Sequence, residues 1–559
     1  MPHAVSMATP GLQALILCGP GSSFTTFMSN PDENPKALLP IANRPMVWYP
    51  LDFCYRTGIT DITLICPPSA EAAMSSALKI NPFLTSLPFP KPVLLAPKGL
   101  EQTTGTAEIL RLPEVRAAVT EDFVVLPCDL VCEVGGELLL QAWMVKSASL
   151  SDMLGDADAG ASRHSGGLGV WYPTKAETPI KGEETDFIAT TPLQHSEVPP
   201  PKGSLLPHLS NLVTSMPTDA LNDLVEEKNG FAIRHGLLRR HPRVRMLTTH
   251  RDAHIYIFPR WVMDFVNGNE RLETISEDVI GWWAKAAWQP GLSDKLGMKK
   301  ALEGSGGDVD ASSKGDDGDS PEDVDPEEYR PEPSPSRGQS PEVTRHVPHG
   351  DRISAAASQG LVPPLLAYVH PAKPNGPLIR RVDNAPLLLA ISLQLAKLPS
   401  VEEAGADAAS PFAHARKVAY PEGVKSRTTI SRQDSLVAEN VTVEEKTAIK
   451  ESVVGANCQI REGAKLSQCL LMEGVVVGKG CKLTRCILGR RSEIGDGTVL
   501  TDCEVQENLL VEPRTEDKNN KLMSSSGLEA TEEEMEDVLQ EAEADDGAPA
   551  GDDEIAFSG

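Results

Sequence analysis

The sequence predicts an amino-terminal α/β domain built on a doubly wound, mainly parallel sheet, a carboxy-terminal parallel β-helix, and an acidic disordered linker and tail. Three observations carry that expectation. Short apolar runs alternate with helix-like segments between Leu12 and Lys146. Aliphatic residues recur with gaps of 6, 6 and 5 from Val437 to Val505. Negative charge is crowded into two segments that are poor in large apolar residues.

The first domain is expected over 11–300. Leu12–Cys18 reads as a buried strand ending in the turn Gly19-Pro20-Gly21-Ser22. Met46–Thr57 reads as a helix, Ile62–Cys66 as a strand and Ala70–Leu78 as a helix. Pro92–Ala96 follows as a strand, Thr106–Val119 as a helix, Phe123–Leu126 as a strand and Glu137–Lys146 as a helix. The stretch 151–235 is rich in Gly, Pro and Thr. It reads as long inserted loops around one strand at Gly167–Tyr172, with disorder near 175–205. Residues 301–352 read as an acidic disordered insert and 353–430 as a linker with a strand and a helix. Residues 431–512 read as the β-helix and 513–559 as an acidic disordered tail.

The chain has 559 residues, with 52 Lys and Arg against 79 Asp and Glu, a net charge of −27. Residues 303–352 hold 14 acids and 5 bases, and residues 513–559 hold 15 acids and 3 bases. The rest of the chain is then only six charges negative. Direct binding of nucleic acid is not expected, because phosphate backbones need a basic face. No run of about 18 apolar residues predicts a membrane span. The start lacks a basic stretch followed by an apolar one, so a cytosolic location is expected. Ten cysteines in this length are too dilute for a disulfide framework and are expected reduced.

The repeat has a period of 17. Val437, Val454, Leu471, Leu488 and Val505 form one column. Val443, Ile460, Val477 and Ile494 form a second, and Ile449, Leu466, Leu483 and Leu500 a third. One short strand per face and three faces per coil make a triangular prism of about four coils. Ser452, Cys469, Cys486 and Cys503 then stack as a ladder of small side chains, a packing role rather than a metal site.

A glycine turn after a first strand can cradle phosphate, and an Asp at a strand end can hold Mg²⁺. Each is weak alone. Together, Ala14–Gly21 followed by Pro35-Lys36-Ala37-Leu38-Leu39-Pro40-Ile41-Ala42-Asn43-Arg44-Pro45-Met46 resembles the opening of the sugar-phosphate nucleotidyltransferase family. Gly105-Thr106-Ala107 and Cys128-Asp129-Leu130 are similar to later motifs of that family. The resemblance implies a nucleotide pocket on a Rossmann-like sheet, held by Gly19, Gly21, Lys36, Gly105 and Asp129. It also implies damage. Ser23 stands where the family carries an Arg, and Pro20 removes a backbone donor. Losing such donors costs several kcal/mol of transition-state stabilisation, so a relic pocket with no catalytic residue is expected. No resident metal or cofactor is expected. GTP is the ligand that the pocket would take if it is filled.

The β-helix is similar to the left-handed hexapeptide family, but the repeat carries no histidine to serve as an acyl-transfer base. The two parts together, with Val47-Trp48-Tyr49-Pro50, Ala253-His254-Ile255-Tyr256, Ala367-Tyr368-Val369-His370 and Cys469-Leu470-Leu471-Met472, resemble the gamma-subunit family of translation initiation factor 2B. That resemblance implies a non-catalytic or regulatory subunit of the complex exchanging GDP for GTP on translation initiation factor 2. Its partners would be the epsilon and other subunits and that factor itself. The alternative is a GDP-mannose pyrophosphorylase-like enzyme. A scaffold unrelated to translation is the third reading.

Overall fold

A computed structural model describes residues 10–147, 165–303 and 362–524, except 29, 102, 175–179, 181, 194–198, 232, 234, 242, 290, 374–375 and 406–408. A nine-stranded sheet organises the first part. Its strands are β1 (Gln13–Leu17), β2 (Asp61–Ile65), β3 (Val93–Leu95), β4 (Phe123–Pro127), β5 (Gly167–Pro173), β6 (Asp186–Pro192), β7 (Leu209–Pro217), β8 (Arg245–Phe258) and β9 (Leu365–Val369). Their spatial order is β3-β2-β1-β4-β8-β5-β9-β7-β6.

The first four strands are parallel, in the crossover arrangement expected from the alternating pattern. The other half is mixed: β8 runs antiparallel to β4 and β5, β9 is parallel to β5, and β7 is antiparallel to β9 and β6. The expectation of a mainly parallel sheet therefore holds for one half only.

Within 151–235, the described residues from 165 onward supply the expected strand as β5 and also β6 and β7 to the sheet, and helix Thr218–Lys228 follows. β6 was hidden because Thr190 and Thr191 are polar by composition yet buried in the sheet, where β-branched side chains pack well. The expected disorder near 175–205 falls partly on residues outside the described set. The strand expected in the 353–430 linker is β9, wedged between β5 and β7, so this stretch completes the sheet. The helix expected over Thr106–Val119 is two helices, Thr106–Arg111 and Pro113–Ala118. Leu112 sits at φ −58°, ψ 135°, because the residue before a proline is pushed out of the helical region. The acidic insert lies outside the described residues from 304 onward.

The prism follows the 17-residue register. Val437 pairs with Val454, Val454 with Leu471, Leu471 with Leu488 and Leu488 with Val505. Two faces carry six strands and the third carries five, more than the four coils read from the aliphatics. The β-helix begins before 431, with Val418 bridged to Val437, and runs past 512 to strand Lys521–Leu522. Asp517 falls in the Leu500 column, which is why the aliphatic pattern stopped early. Residues 513–524 are thus its last coil, and the acidic tail from 525 lies outside the described residues. Turns recur at left-handed positions one coil apart, such as Asn440, Asn457, Gly474, Arg491 and Asn508. Gly489 is required by close stacking: a Cβ there would lie 2.5 Å from the backbone of the next coil.

The cysteine ladder is interior packing. Cys469 N–H donates to Ser452 Oγ at 3.1 Å, and each thiol of Cys469, Cys486 and Cys503 donates to the carbonyl two residues earlier. One prism face is apolar on its outside as well: Leu436, Val453, Leu470 and Ile487 join the α/β core beside helix Ala385–Lys397. The two parts therefore share a core.

Candidate functional site

Residues around the carboxyl ends of β1 and β4 form the site that the motifs point to. β1 ends in a turn whose Gly21 adopts φ +78°, and a Cβ there would strike Met28 and Lys36. Gly19 needs no special backbone, since a Cβ would meet nothing. Gly19 and Gly21 line a cleft of about 380 Å³ with Cys18, Cys66, Met28 and Met74. Its polar side chains are the hydroxyls of Ser and Thr; among the described residues no Lys, Arg, Asp or Glu lines it.

Lys36 and Asp129 lie beside this cleft and face each other. Lys36 Nζ donates to Asp129 Oδ2 at 2.7 Å. The other oxygen of Asp129 is 3.3 Å from Arg381 Nε. Asp129 is 1% exposed, and the Lys36 and Arg381 side chains are 12% and 14% exposed. Burial alone would raise the Asp129 carboxyl, but Arg381 and Lys36 hold it far below the usual carboxylate range. Burial alone would lower the Lys36 ammonium, and Asp129 more than reverses it. Sequence reading found Lys36 and Asp129 and missed Arg381. Arg381 arrives on the short strand Ile379–Arg381, which pairs with Leu130–Cys132 immediately after Asp129. The only local signal was the Arg380-Arg381 pair after a Pro-rich stretch.

The charge network continues. Arg381 Nη1 donates to His254 Nε2 at 3.1 Å. Burial, then Arg381, keeps that imidazole neutral by pushing its pKa well down. Arg251 pairs with Asp383 at 2.5 Å. Ser23 donates its hydroxyl to the Asp383 carbonyl. His254 sits at φ +52° where the register of β8 shifts between Asp252 and Tyr256. Asp252 accepts from Tyr256 OH at 2.5 Å, and Asp186 accepts from Asp252 N–H at 2.6 Å. Burial, then the Asp186 charge, pushes the Asp252 carboxyl up to about 7. These groups border a second cavity, of about 180 Å³, that is rich in carboxylates.

Gly105 is not in the cleft lining. A Cβ there would lie 2.2 Å from the Glu273 carbonyl oxygen, and its N–H donates to Glu108 at the start of helix Thr106–Arg111. Close packing thus explains this glycine.

The motif residues also join the two parts of the chain. Asn43 donates to the Val454 carbonyl at 3.0 Å, and Arg44 donates to the carbonyls of Phe412 and Ala413. Thr26 donates to Glu504 at 3.1 Å, and Asn34 donates to Glu507 at 3.1 Å. Thr26, Asn30 and Asn34, after the glycine turn, are thus held by the prism coil that carries Glu504 and Glu507.

Comparison with known proteins gives concordant likenesses. Residues 419–516 match the family model described as the EIF2B subunit epsilon LbH domain, a left-handed β-helix. Over 290 residues the chain is 27% identical to translation initiation factor eIF2B subunit gamma of Schizosaccharomyces pombe, covering 52% of this chain and 55% of that protein. Over 269 residues it is 20% identical to the subunit of the same name from Caenorhabditis elegans, covering 48% and 57%. The chain is similar to gamma subunits of eIF2B. It spans about half the length of the curated relatives that it matches. The prism carries an eIF2B-type likeness of its own, since its family model is that of an epsilon subunit and it lies outside the α/β part.

Proposed function

We propose that this chain is a gamma-type subunit of an eIF2B-like complex, which exchanges GDP for GTP on translation initiation factor 2, and that it acts by assembly. Its α/β part is a nucleotidyltransferase-like domain whose pocket no longer turns over. The observation that carries this reading is the closed triad Lys36–Asp129–Arg381. Phosphoryl chemistry needs cations and a metal-holding carboxylate aimed at the substrate. Here the carboxylate is consumed by two side chains, Lys36 is committed to it, and among the described residues no charged side chain lines the neighbouring cleft. The names of the relatives and the epsilon-type β-helix support this choice of assembly.

In this reading the cytosolic partners are the epsilon and other subunits, with translation initiation factor 2 as the shared substrate. The prism faces turned away from the α/β part are the contact surfaces. Purified full chain with GTP, Mg²⁺ and mannose 1-phosphate tests the catalytic half of the reading. No pyrophosphate above the rate without enzyme is expected. Steady release would overturn the proposal in favour of a pyrophosphorylase.

A further inference from the structure

One surface stretch reverses the charge of this acidic chain. Residues 231–246 hold five arginines, Arg234, Arg239, Arg240, Arg243 and Arg245, and no Asp or Glu. They run through helix His235–Arg240 into the start of β8. Arg239, Arg243 and Arg245 are exposed, and none of the three forms an ion pair among the described residues. The prism stretch 479–491 is as basic, but there Arg485 pairs with Asp502 and Arg490 with Glu473.

Apolar surface lies among these cations. Of the twelve large apolar side chains exposed among the described residues, four are Phe231, Ile233, Leu238 and Met246. A packed floor holds this stretch in place. Leu237 and Val244 pack with Phe187 and Ala189 of β6. The Phe231 ring meets Phe187 edge-on at 5.2 Å, and Met246 is in register with Ala189 across the ladder. Arginines set among apolar side chains fit a peptide that mixes carboxylates with apolar residues.

We propose that this patch is covered by the chain's own segment Glu322–Tyr329. The segment reads Glu322-Asp323-Val324-Asp325-Pro326-Glu327-Glu328-Tyr329, five carboxylates with Val324 and Tyr329 beside them. It belongs to residues 304–361, outside the described set, whose two ends both emerge in the half of the sheet that carries the patch. Trp288 packs on the same floor as Leu237 and Val244, and it donates to the Val213 carbonyl of β7 at 2.9 Å. Fifteen residues after Trp288 the described chain stops at Glu303. It resumes at Val362, just before β9, which pairs with β7.

Reach and affinity both suit this occupant. Half of the residues between Glu303 and Glu322 are Gly or Ser. A Gly/Ser-rich chain of that length spans about 25 Å on average. Each exposed ion pair contributes little, but a short tether holds the segment at an effective concentration on the order of millimolar, so several weak pairs suffice. The acidic tail is the rival occupant. It leaves from the prism, whose Glu504 and Glu507 hold the segment after β1, in the other half of the sheet.

The test puts the photo-cross-linking residue p-benzoylphenylalanine in place of Tyr329 in the full chain, irradiates at low and high salt, and maps the links by mass spectrometry. The label should link within its own chain to residues 231–246. The yield should fall several-fold in about 1 M salt, where the screening length is about 3 Å. Arg239→Glu, Arg243→Glu and Arg245→Glu together should abolish the link, and because these side chains are exposed the fold should persist. Replacing Glu322, Asp323, Asp325, Glu327 and Glu328 by lysine should restore it in that triple variant, which a folding defect could not mimic. Links scattered over the surface, links only to a second copy, or a yield indifferent to salt would overturn the proposal. So would links to 231–246 from the same label at Leu539 in the tail, in place of those from position 329. The salt dependence with all arginines intact decides even if the triple variant fails to fold.

Discussion

Asp129→Asn separates a closed triad from a working metal site. The Asp129 carboxylate is 1% exposed and stands between Lys36 at 2.7 Å and Arg381 at 3.3 Å. Asparagine keeps the shape and removes the charge, leaving two nearly buried cations facing each other. Removing one partner from a buried ion pair costs about 3–5 kcal/mol, chiefly because the remaining charge is left without compensation. The assay is urea unfolding followed by tryptophan fluorescence. All seven tryptophans, from Trp48 to Trp288, lie in the α/β part, so the signal reports on that part. The midpoint should fall with the slope unchanged. Adding Lys36→Met should recover part of the loss, since one of the stranded cations goes with it, and the cycle should show coupling above about 1 kcal/mol. A loss under about 1 kcal/mol for Asp129→Asn would refute the reasoning, because a buried carboxylate holding two cations cannot be that cheap to neutralise. Unchanged stability together with lost Mg²⁺ binding would instead mark Asp129 as a free metal ligand.

Three further outcomes follow from the same geometry. Leu483→Asp places a carboxylate in the inward column between Leu466 and Leu500, and should destabilise the prism by on the order of 4 kcal/mol. Unchanged thermal melting by circular dichroism would break the register. Asp252 has a carboxyl raised to about 7 by burial and by Asp186, so the folded state binds a proton that the unfolded chain has released above about pH 4. Its ionisation therefore erodes stability as pH rises from about 4 through 7. Asp252→Asn should raise the melting temperature more at pH 8 than at pH 5, and an equal effect at both would sink that assignment. Glu507→Ala removes the acceptor for Asn34 and for the Asn30 N–H, worth about 1–2 kcal/mol. Hydrogen exchange over 22–34 should quicken while coils 437–488 keep their protection; equal exchange would show that the prism does not hold this segment.

What could be read from sequence differs sharply between the two parts. The prism was legible because each coil repeats a local rule, so Val437 to Val505 announced the register without any distant contact. Its ends were not, because Asp517 breaks the aliphatic column while the backbone ladder continues to Leu522. The parallel half of the sheet was legible from alternation. The mixed half was not, because β6 sits among turn-forming residues and β9 joins from beyond the acidic insert. At the site, Lys36 and Asp129 stood out by motif, but Arg381 is 252 residues from Asp129 and only the pairing of Ile379–Arg381 with Leu130–Cys132 brings it in. Gly105 carried a motif signal whose cause is close packing on Glu273.

The central claim is that this chain works in company. Affinity purification of the tagged full chain from its native cells, with quantitative mass spectrometry of what remains bound, tests it directly. The account predicts the other exchange-factor subunits, the epsilon subunit foremost, in stoichiometric amounts. Recovery of the chain alone, or with companions that include no initiation-factor subunit, would contradict it.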